Sequence, residues 1–165
     1  LDTVVNIFRS IPFLILMIIV IPLSRLIVGT SIGTVASIVP LVIASFPFVS
    51  RLIETSIREV DPGVIEAAQS MGATPLQIIT KVMVPESMPS LVANITIAAT
   101  TIMGYGAMAG IIGGGGLGKI AINYGYYRFN VVLEFFATAL LVVLVQILQT
   151  VGTKLAIKCD KRVQK

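Results

Sequence analysis

The stretch LVANITIAATTIMGYGAMAGII, residues 91–112, contains no charged side chain, and the charge-free run around it extends from 87 to 118. A helix needs roughly 17–25 mostly apolar residues to cross the hydrocarbon core of a bilayer. Further charge-free runs that reach or approach this length lie at 10–24, 26–50 and 135–153. We therefore predict an all-α integral membrane protein. Its membrane helices, about four in number, are expected near residues 10–28, 32–50, 90–112 and 132–152.

The composition agrees with this class of protein. Hydrophobic residues make up 56% of the 165-residue chain and charged residues 12%, against about 25% charged residues in soluble domains. The sequence contains no histidine, the side chain that most often serves as a metal ligand or an acid–base catalyst near neutral pH. A single cysteine, Cys159, cannot form an internal disulfide. We expect neither a catalytic centre nor a metal site in this chain.

The basic residues indicate how the chain is oriented. Of the twelve Lys and Arg residues, five lie in the tail that follows residue 153. A cytoplasmic tail, combined with alternating spans, places segment 51–89 inside and segments 24–31 and 113–131 outside. The inner side then holds nine basic residues and the outer side three, as the positive-inside rule requires. This distribution favours a membrane topology over a surface that binds nucleic acid.

The stretch GGGGLGKI, residues 113–120, matches the phosphate-loop pattern G-x-x-x-x-G-K-[ST] except at Ile120. A phosphate loop follows a β-strand, and its Ser or Thr hydroxyl holds Mg²⁺. Here a predicted membrane helix precedes the glycines, Ile120 has no hydroxyl, and the topology places the stretch outside the membrane. We interpret it as a turn packed on neighbouring helices, and we expect this chain to bind neither ATP nor Mg²⁺ itself.

The inner segment contains the stretch DPGVIEAAQSMGATPLQIITKVMVPES, residues 61–87. Asp61, followed by proline, has the pattern of a helix N-cap and first turn. Gly72 suits the left-handed position that closes a helix, and Thr74 and Gln77 have the spacing of a capping box for a second helix. We therefore predict two short helices that meet at Gly72.

The same segment has features of a docking site. Glu66 offers a charge to a basic partner residue, and the small side chains of Ala67 and Ala68 allow another surface to approach the backbone. Pro85 and Pro89 are expected to end the second short helix before the next membrane span.

The inner segment contains Glu-Ala-Ala, then a glycine after three residues, and a Val-x-Val-Pro sequence after nine more. The residues are Glu66, Ala67, Ala68, Gly72, Val82, Val84 and Pro85. They resemble the EAA motif of ABC-importer permeases, EAA-x3-G-x9-I-x-L-P, with valine in place of the Ile and the Leu. Longer stretches look like the methionine-uptake permeases of that superfamily, and the similarity covers nearly the whole chain. These stretches are NIFRSIPF (6–13), IVGTSIG (27–33), GATPLQIITKVMVPE (72–86), GYGAM (104–108) and GGLGKI with YGY (115–126).

The resemblance implies a type I ABC-importer permease fold with a single transmembrane permease domain over residues 1–165. Such permeases carry one more membrane helix, so an N-terminal helix is expected to be absent from this sequence. Residues 54–88, here termed the EAA loop, would form the cytoplasmic coupling loop within that domain. The residues that the resemblance assigns to coupling with a separate ATPase subunit are Glu66, Ala67, Ala68, Gly72, Ala73 and Pro85.

The resemblance also implies the partners of the chain. The ATPase subunit would bind ATP and Mg²⁺ and hydrolyse the nucleotide, so the permease would be a transporter subunit without a cofactor rather than an enzyme. A second copy of the chain would complete a homodimer in the bacterial inner membrane, surrounded by lipid. A substrate-binding protein outside the cytoplasm would deliver the amino acid, and methionine is the substrate that the longer stretches indicate.

The third predicted span, residues 91–112, is rich in Ala, Gly and Thr. Small residues let membrane helices pack closely, and they also leave room for a path. Met103, Tyr105 and Met108 are the bulky exceptions, and we predict that they line or close the translocation path. Met108 in particular has small neighbours and a side chain that adapts to irregular gaps.

Three other functions stay open at this point. An ABC permease for a different small solute would differ in the ligand of its binding protein and not in this chain. An ATP-independent carrier or channel would need a buried ionisable relay or inverted repeats, and the only charged candidate within a span, Glu134, lies near the outer end of the last one. A membrane assembly factor could use the short helices of the inner segment only for docking.

Overall fold

The computed structural model describes residues 11–160, and this part of the chain is helical, without a β-strand. Short 3₁₀ and π-helical turns separate some of the α-helices. The order is α1 (Phe13–Val28), α2 (Thr34–Arg58), α3 (Pro62–Ser70), α4 (Pro75–Ile78), a π turn (Ile79–Met83), α5 (Val84–Met108), a 3₁₀ turn (Ala109–Ile112), α6 (Gly116–Lys119), a second π turn (Ile120–Tyr126) and α7 (Val131–Cys159). The all-α prediction is confirmed.

Three helical segments within residues 11–160 are long and apolar enough to cross a membrane, and they are α2, the segment Pro75–Ile112 that contains α5, and α7. The first predicted span, at 10–28, corresponds to α1, which is apolar but has only 16 residues. Its end at Val28 has a local cause, because Gly29 follows in the left-handed conformation with φ of 79°. Such a residue at the C-terminus stops helical hydrogen bonding.

The helices extend beyond the charge-free runs that predicted them. Helix α2 continues past the predicted end at residue 50 to Arg58. The charges in this extension pair along the helix. The carboxylate of Glu54 forms ion pairs with the guanidinium groups of Arg51 and Arg58, each with a nitrogen–oxygen distance of 2.8 Å. Oppositely charged residues three or four positions apart are neighbours on a helix surface. Charge therefore ends the apolar run without ending the helix.

The prediction that Pro85 and Pro89 end the second short helix is wrong. Helix α5 begins at Val84 and contains Pro89, and Pro75–Ile112 is one continuous helical segment. For Pro85 the physical reason lies in the π turn Ile79–Met83, where the N–H of Val84 bonds to the carbonyl of Ile79. A π turn widens the helix by one residue, which makes room for the proline ring that would clash in a regular α-helix.

The chain divides into two compact units. The described part of unit 1 comprises residues 11–48 and 99–148, and that of unit 2 comprises 49–98 and 149–160. Buried apolar residues of unit 1 include Leu16, Met17, Val20, Ala36, Ala109 and Ala137. Those of unit 2 include Val60, Ala68, Ile78 and Ala98. Many larger apolar side chains are exposed instead, particularly along α7. This is expected for helices that face lipid, because lipid tails are as apolar as leucine.

Candidate functional site

The EAA loop contains α3, and hydrogen bonds close this helix at both ends. The carboxylate of Asp61 accepts a hydrogen bond from the N–H of Gly63 at 2.7 Å, as an N-cap does. At the other end Gly72 has φ of 78°, the left-handed region in which a residue with a Cβ is strained. The N–H of Gly72 donates to the carbonyl of Gln69 at 2.9 Å, and the N–H of Ala73 donates to that of Ala68 at 3.1 Å. This pair of bonds is a Schellman motif, and the predicted role of Gly72 in the turn is confirmed.

Helix α4 begins directly after this turn with the predicted capping box. The N–H of Thr74 donates to Oε1 of Gln77 at 2.9 Å, and the N–H of Gln77 donates to Oγ1 of Thr74 at 3.4 Å. Two backbone donors at the start of α4 are thereby satisfied by side chains. The direction of the chain from α3 into α4 is therefore fixed by hydrogen bonds within residues 68–77.

The structure separates the predicted coupling residues by exposure. Glu66, Ala67, Gly72 and Pro85 are exposed, and a partner can reach them. Ala68 is buried, with 4% of its surface accessible, and Ala73, whose N–H bonds to it, is half-buried. Ala68 therefore supports the turn from inside. Of Ala67 and Ala68, only Ala67 offers a small side chain at the surface.

Sequence reasoning missed two apolar residues that flank the turn. Met71 is 82% exposed and Leu76 is 70% exposed. An exposed apolar patch often marks a contact with another protein, and both of these side chains lie next to the turn at Gly72. The sequence does contain a signal for them, namely two large apolar residues on either side of a helix-closing glycine. Helices of nine and four residues are too short to bury many apolar side chains between them, so such residues are expected to be exposed.

The predicted path residues lie in unit 1, at the end of α5. Met108 is the last residue of the helix and is 43% exposed. Met103 is half-buried. The ring of Tyr105 stacks on that of Phe13 from α1, with centroids 4.3 Å apart and planes inclined by 11°. Tyr105 is thus held by an aromatic partner that the sequence pattern did not indicate.

The small residues around Met108 have a packing role. Gly114 and Gly118 of the glycine stretch lie so close to the backbone of Ala109 and Ala107 that a Cβ at either glycine would collide with a carbonyl oxygen. The end of α5 and the glycine stretch thus form a tight turn. This confirms the interpretation of the glycine stretch as a turn packed on neighbouring helices, and it accounts for the glycines without a phosphate.

Residues 11–160 contain no group of three or more His, Cys, Asp or Glu side chains that could hold a metal ion. In the same range the buried polar side chains are Ser24, Ser37, Ser56, Ser87 and Thr96, none of which is ionisable. Glu134 is half-buried and stands in the first turn of α7, where the partial positive charge of a helix N-terminus favours a carboxylate.

The helical fold and the EAA loop are features of a transport permease, and comparison with known proteins agrees. Residues 1–155 match the family described as "Binding-protein-dependent transport system inner membrane component". The chain belongs to this family.

Two curated relatives and a solved structure resemble the chain over almost its full length. It is 54% identical over 162 residues to the probable D-methionine transport system permease protein MetI of Vibrio cholerae, covering 98% of this chain and 72% of that protein. It is 50% identical over 159 residues to the methionine import system permease protein MetP of Bacillus subtilis, covering 96% and 72%. A chain of the MetNI methionine ABC transporter, solved in an inward-facing conformation, matches with a TM-score of 0.93 and 46% identity, covering 97% of this chain and 74% of that one.

Proposed function

We propose that this chain is the membrane permease subunit of an ATP-driven importer of methionine. The observation that carries the proposal is the match to the MetNI methionine ABC transporter, with a TM-score of 0.93 over 97% of the chain. The relatives from Vibrio cholerae and Bacillus subtilis are both described as permeases for methionine. The complex would contain two copies of this chain, ATPase subunits on the cytoplasmic side and a substrate-binding protein on the other side.

The EAA loop is the part that we assign to coupling. Glu66 and Ala67 are exposed on α3, and Met71 and Leu76 add apolar side chains at the turn. A cleft on the ATPase subunit would bury these apolar side chains and pair a basic residue with Glu66. The hydrogen bonds around Gly72 hold α3 and α4 in a fixed direction, so that the loop moves as a unit when the ATPase moves.

Movement of the loop can reach the membrane along one helix. A helical segment begins at Pro75 within the EAA loop and continues without interruption to Ile112, and Met103 and Met108 lie within it. A displacement at α4 is therefore transmitted along α5 instead of being absorbed by a flexible linker. In this account ATP and Mg²⁺ bind only to the ATPase subunit, and this chain contributes no catalytic group.

We assign closure of the path to the end of α5. The thioether of Met108 is the exposed bulky group there, beside the tightly packed Ala107 and Ala109. Tyr105, stacked on Phe13, would fix the position of the helix next to the path, and Met103 would line it. In a homodimer two copies of Met108 would meet near the symmetry axis.

The orientation follows the charge distribution. We place the C-terminal tail and the EAA loop in the cytoplasm, and the glycine stretch with Tyr124, Tyr126 and Tyr127 at the outer surface. Tyr126 and Tyr127 are more than half exposed, at 64% and 60%, as side chains of an interfacial aromatic belt are.

The alternatives make different demands on the chain. An ATP-independent carrier would use buried ionisable groups, whereas the buried polar side chains found between residues 11 and 160 are serines and a threonine. A permease for another solute would keep the same EAA loop, so the substrate has to be tested directly. A membrane assembly factor would transport no solute at all.

The substrate is tested by hydrolysis in the assembled complex. The chain is purified with its ATPase and binding-protein partners and reconstituted into vesicles, and ATP hydrolysis is measured with L-methionine, D-methionine, leucine or glycine betaine. We expect methionine to stimulate hydrolysis and the other solutes to leave it at the basal rate. Stimulation by leucine or glycine betaine alone would assign a different cargo to the permease, and stimulation by none would favour the assembly factor.

A further inference from the structure

A partly buried hydrogen-bond network joins α2 to α5 within unit 2. The side-chain amide of Asn94 donates to Oγ of Ser56 at 2.7 Å and to the carbonyl of Leu52 at 3.3 Å. The hydroxyl of Ser56, which is completely buried, donates in turn to the carbonyl of Leu52 at 3.0 Å. The Asn94 bonds connect positions 38 and 42 residues apart in the sequence. We refer to Leu52, Ser56 and Asn94 as the Asn94 network.

The face of α5 opposite to Asn94 packs on α7. Thr96 lies two residues further along, which is about 200° around a helix. Its hydroxyl bonds to the carbonyl of Val92 in its own helix at 2.8 Å. Its side chain lies so close to Gly152 that any Cβ at position 152 would collide with it. Within unit 2, helix α5 is therefore joined to α2 by hydrogen bonds and to α7 by close packing.

The position of the Asn94 network relates it to the EAA loop. Ser56 lies two residues before the end of α2, and Asn94 lies on the first helix to follow the loop. The segment between Arg58 and Val84, which includes α3 and α4, therefore leaves and re-enters the membrane part through two helices that the network holds together. Without this connection the two helices could move apart when the loop is displaced.

We propose that Asn94 is a positioning residue for energy coupling. It holds α2 and α5 together, so that a displacement of the EAA loop moves both helices as one body. The inference rests on the proposed function, because it assumes that the loop receives the movement of an ATPase subunit. It adds a residue within the membrane part that sets how much transport each ATP yields.

The test is the amount of methionine transported per ATP hydrolysed in reconstituted vesicles containing the complete complex. Asn94→Leu removes the interhelical bonds, while Ser56 keeps its bond to Leu52, so no buried donor is left unpaired at Ser56. Changes at single positions in coupling networks alter coupling by about 0.5–2 kcal/mol, which is roughly twofold to thirtyfold. We expect transport per ATP to fall within this range, while the complex assembles normally and basal hydrolysis stays within about twofold of the unmodified rate.

A matched control and a double variant separate coupling from stability. Thr96→Val also removes one hydrogen bond from α5, but that bond lies within the helix and the side chain keeps its shape, so transport per ATP should not change. Ser56→Ala combined with Asn94→Leu should lower the ratio no more than Asn94→Leu alone, because residues in one network are not additive.

The contradicting results are distinct. An unchanged ratio in Asn94→Leu, an equal loss in Thr96→Val, or additive losses in the double variant would each overturn the role of Asn94 and leave the proposed function intact. Loss of assembly in Asn94→Leu would make Asn94 a folding residue and would also overturn the inference. Absence of methionine transport by the unmodified complex would instead contradict the proposed function, and the inference with it.

Discussion

The N–H of Ala73 donates a hydrogen bond to the carbonyl oxygen of Ala68 at 3.1 Å, across the left-handed backbone of Gly72. This bond connects the residue just before the N-cap of the second short helix to a buried residue of the first. Since Ala68 is 4% accessible, the turn is attached to the interior of unit 2 and not merely to the surface of the loop. The shape that the EAA loop presents therefore depends on Gly72.

The first prediction concerns this glycine. Gly72→Val places a β-branched residue in the left-handed region, which costs about 1–2 kcal/mol. The turn should open, and methionine-stimulated ATP hydrolysis should fall while the membrane helices stay folded. Gly72→Asn is the matched control, because asparagine tolerates this conformation better than other residues with a Cβ. Normal coupling by Gly72→Val in reconstituted vesicles would show that the turn is not needed for docking.

The second prediction concerns the exposed methionine next to the turn. Met71→Ser should weaken association with the ATPase subunit by roughly fivefold or more, the loss of about 1 kcal/mol that truncation of an important interface residue causes. Association is measured by titrating the ATPase subunit onto the permease in detergent. Phe129→Ser changes a side chain that is similarly exposed, at 90%, but lies on the predicted outer side, and it should bind the ATPase normally. Equal binding by both variants would remove Met71 from the interface.

The third prediction concerns closure of the path. Met108→Ala should create a leak, so that labelled methionine equilibrates across vesicles without ATP, because the proposed path would lose the thioether that we assign to its closure. Met108→Leu retains a side chain of similar volume and should remain nearly sealed. Uptake is measured in the absence of ATP and compared with the unmodified chain. The same background in all three proteins would assign Met108 to packing.

The fourth prediction concerns orientation. Cys159 is the single cysteine of the sequence and is a free thiol near the end of α7. A membrane-impermeant maleimide should label it in inside-out vesicles and not in intact cells. A chain with Cys159→Ser and Phe129→Cys should give the opposite result, because position 129 is predicted to lie outside. Labelling of Cys159 from the outside of intact cells would reverse the proposed topology.

Local rules were sufficient for much of the EAA loop. The Asp61 cap, the left-handed Gly72 and the Thr74 capping box each depend on residues within a few positions, and the sequence contains all of them. Pro85 differs from these residues, because its effect depends on the π turn before it, where one shifted hydrogen bond makes room for the ring. That compensation involves no distinctive residue type.

Packing between distant segments was not accessible to the same rules. The hydrogen bond that joins Asn94 to another helix depends on Ser56, 38 positions earlier, and no local pattern in the sequence indicates it. The burial of Ala68 and the stacking of Tyr105 on Phe13 have the same origin. Each depends on which helices are neighbours in the fold. The apolar pattern of a membrane helix indicates its neighbours only weakly, because lipid and protein neighbours are equally apolar.

The most direct test of the central claim is uptake of labelled methionine into vesicles that contain this chain with its ATPase and binding-protein partners, repeated without the ATPase subunit. If the chain is a permease driven through its EAA loop, uptake against a gradient requires both ATP and the ATPase subunit, and it is lost in Gly72→Val. Concentrative uptake that continues when the ATPase subunit is omitted would contradict the account.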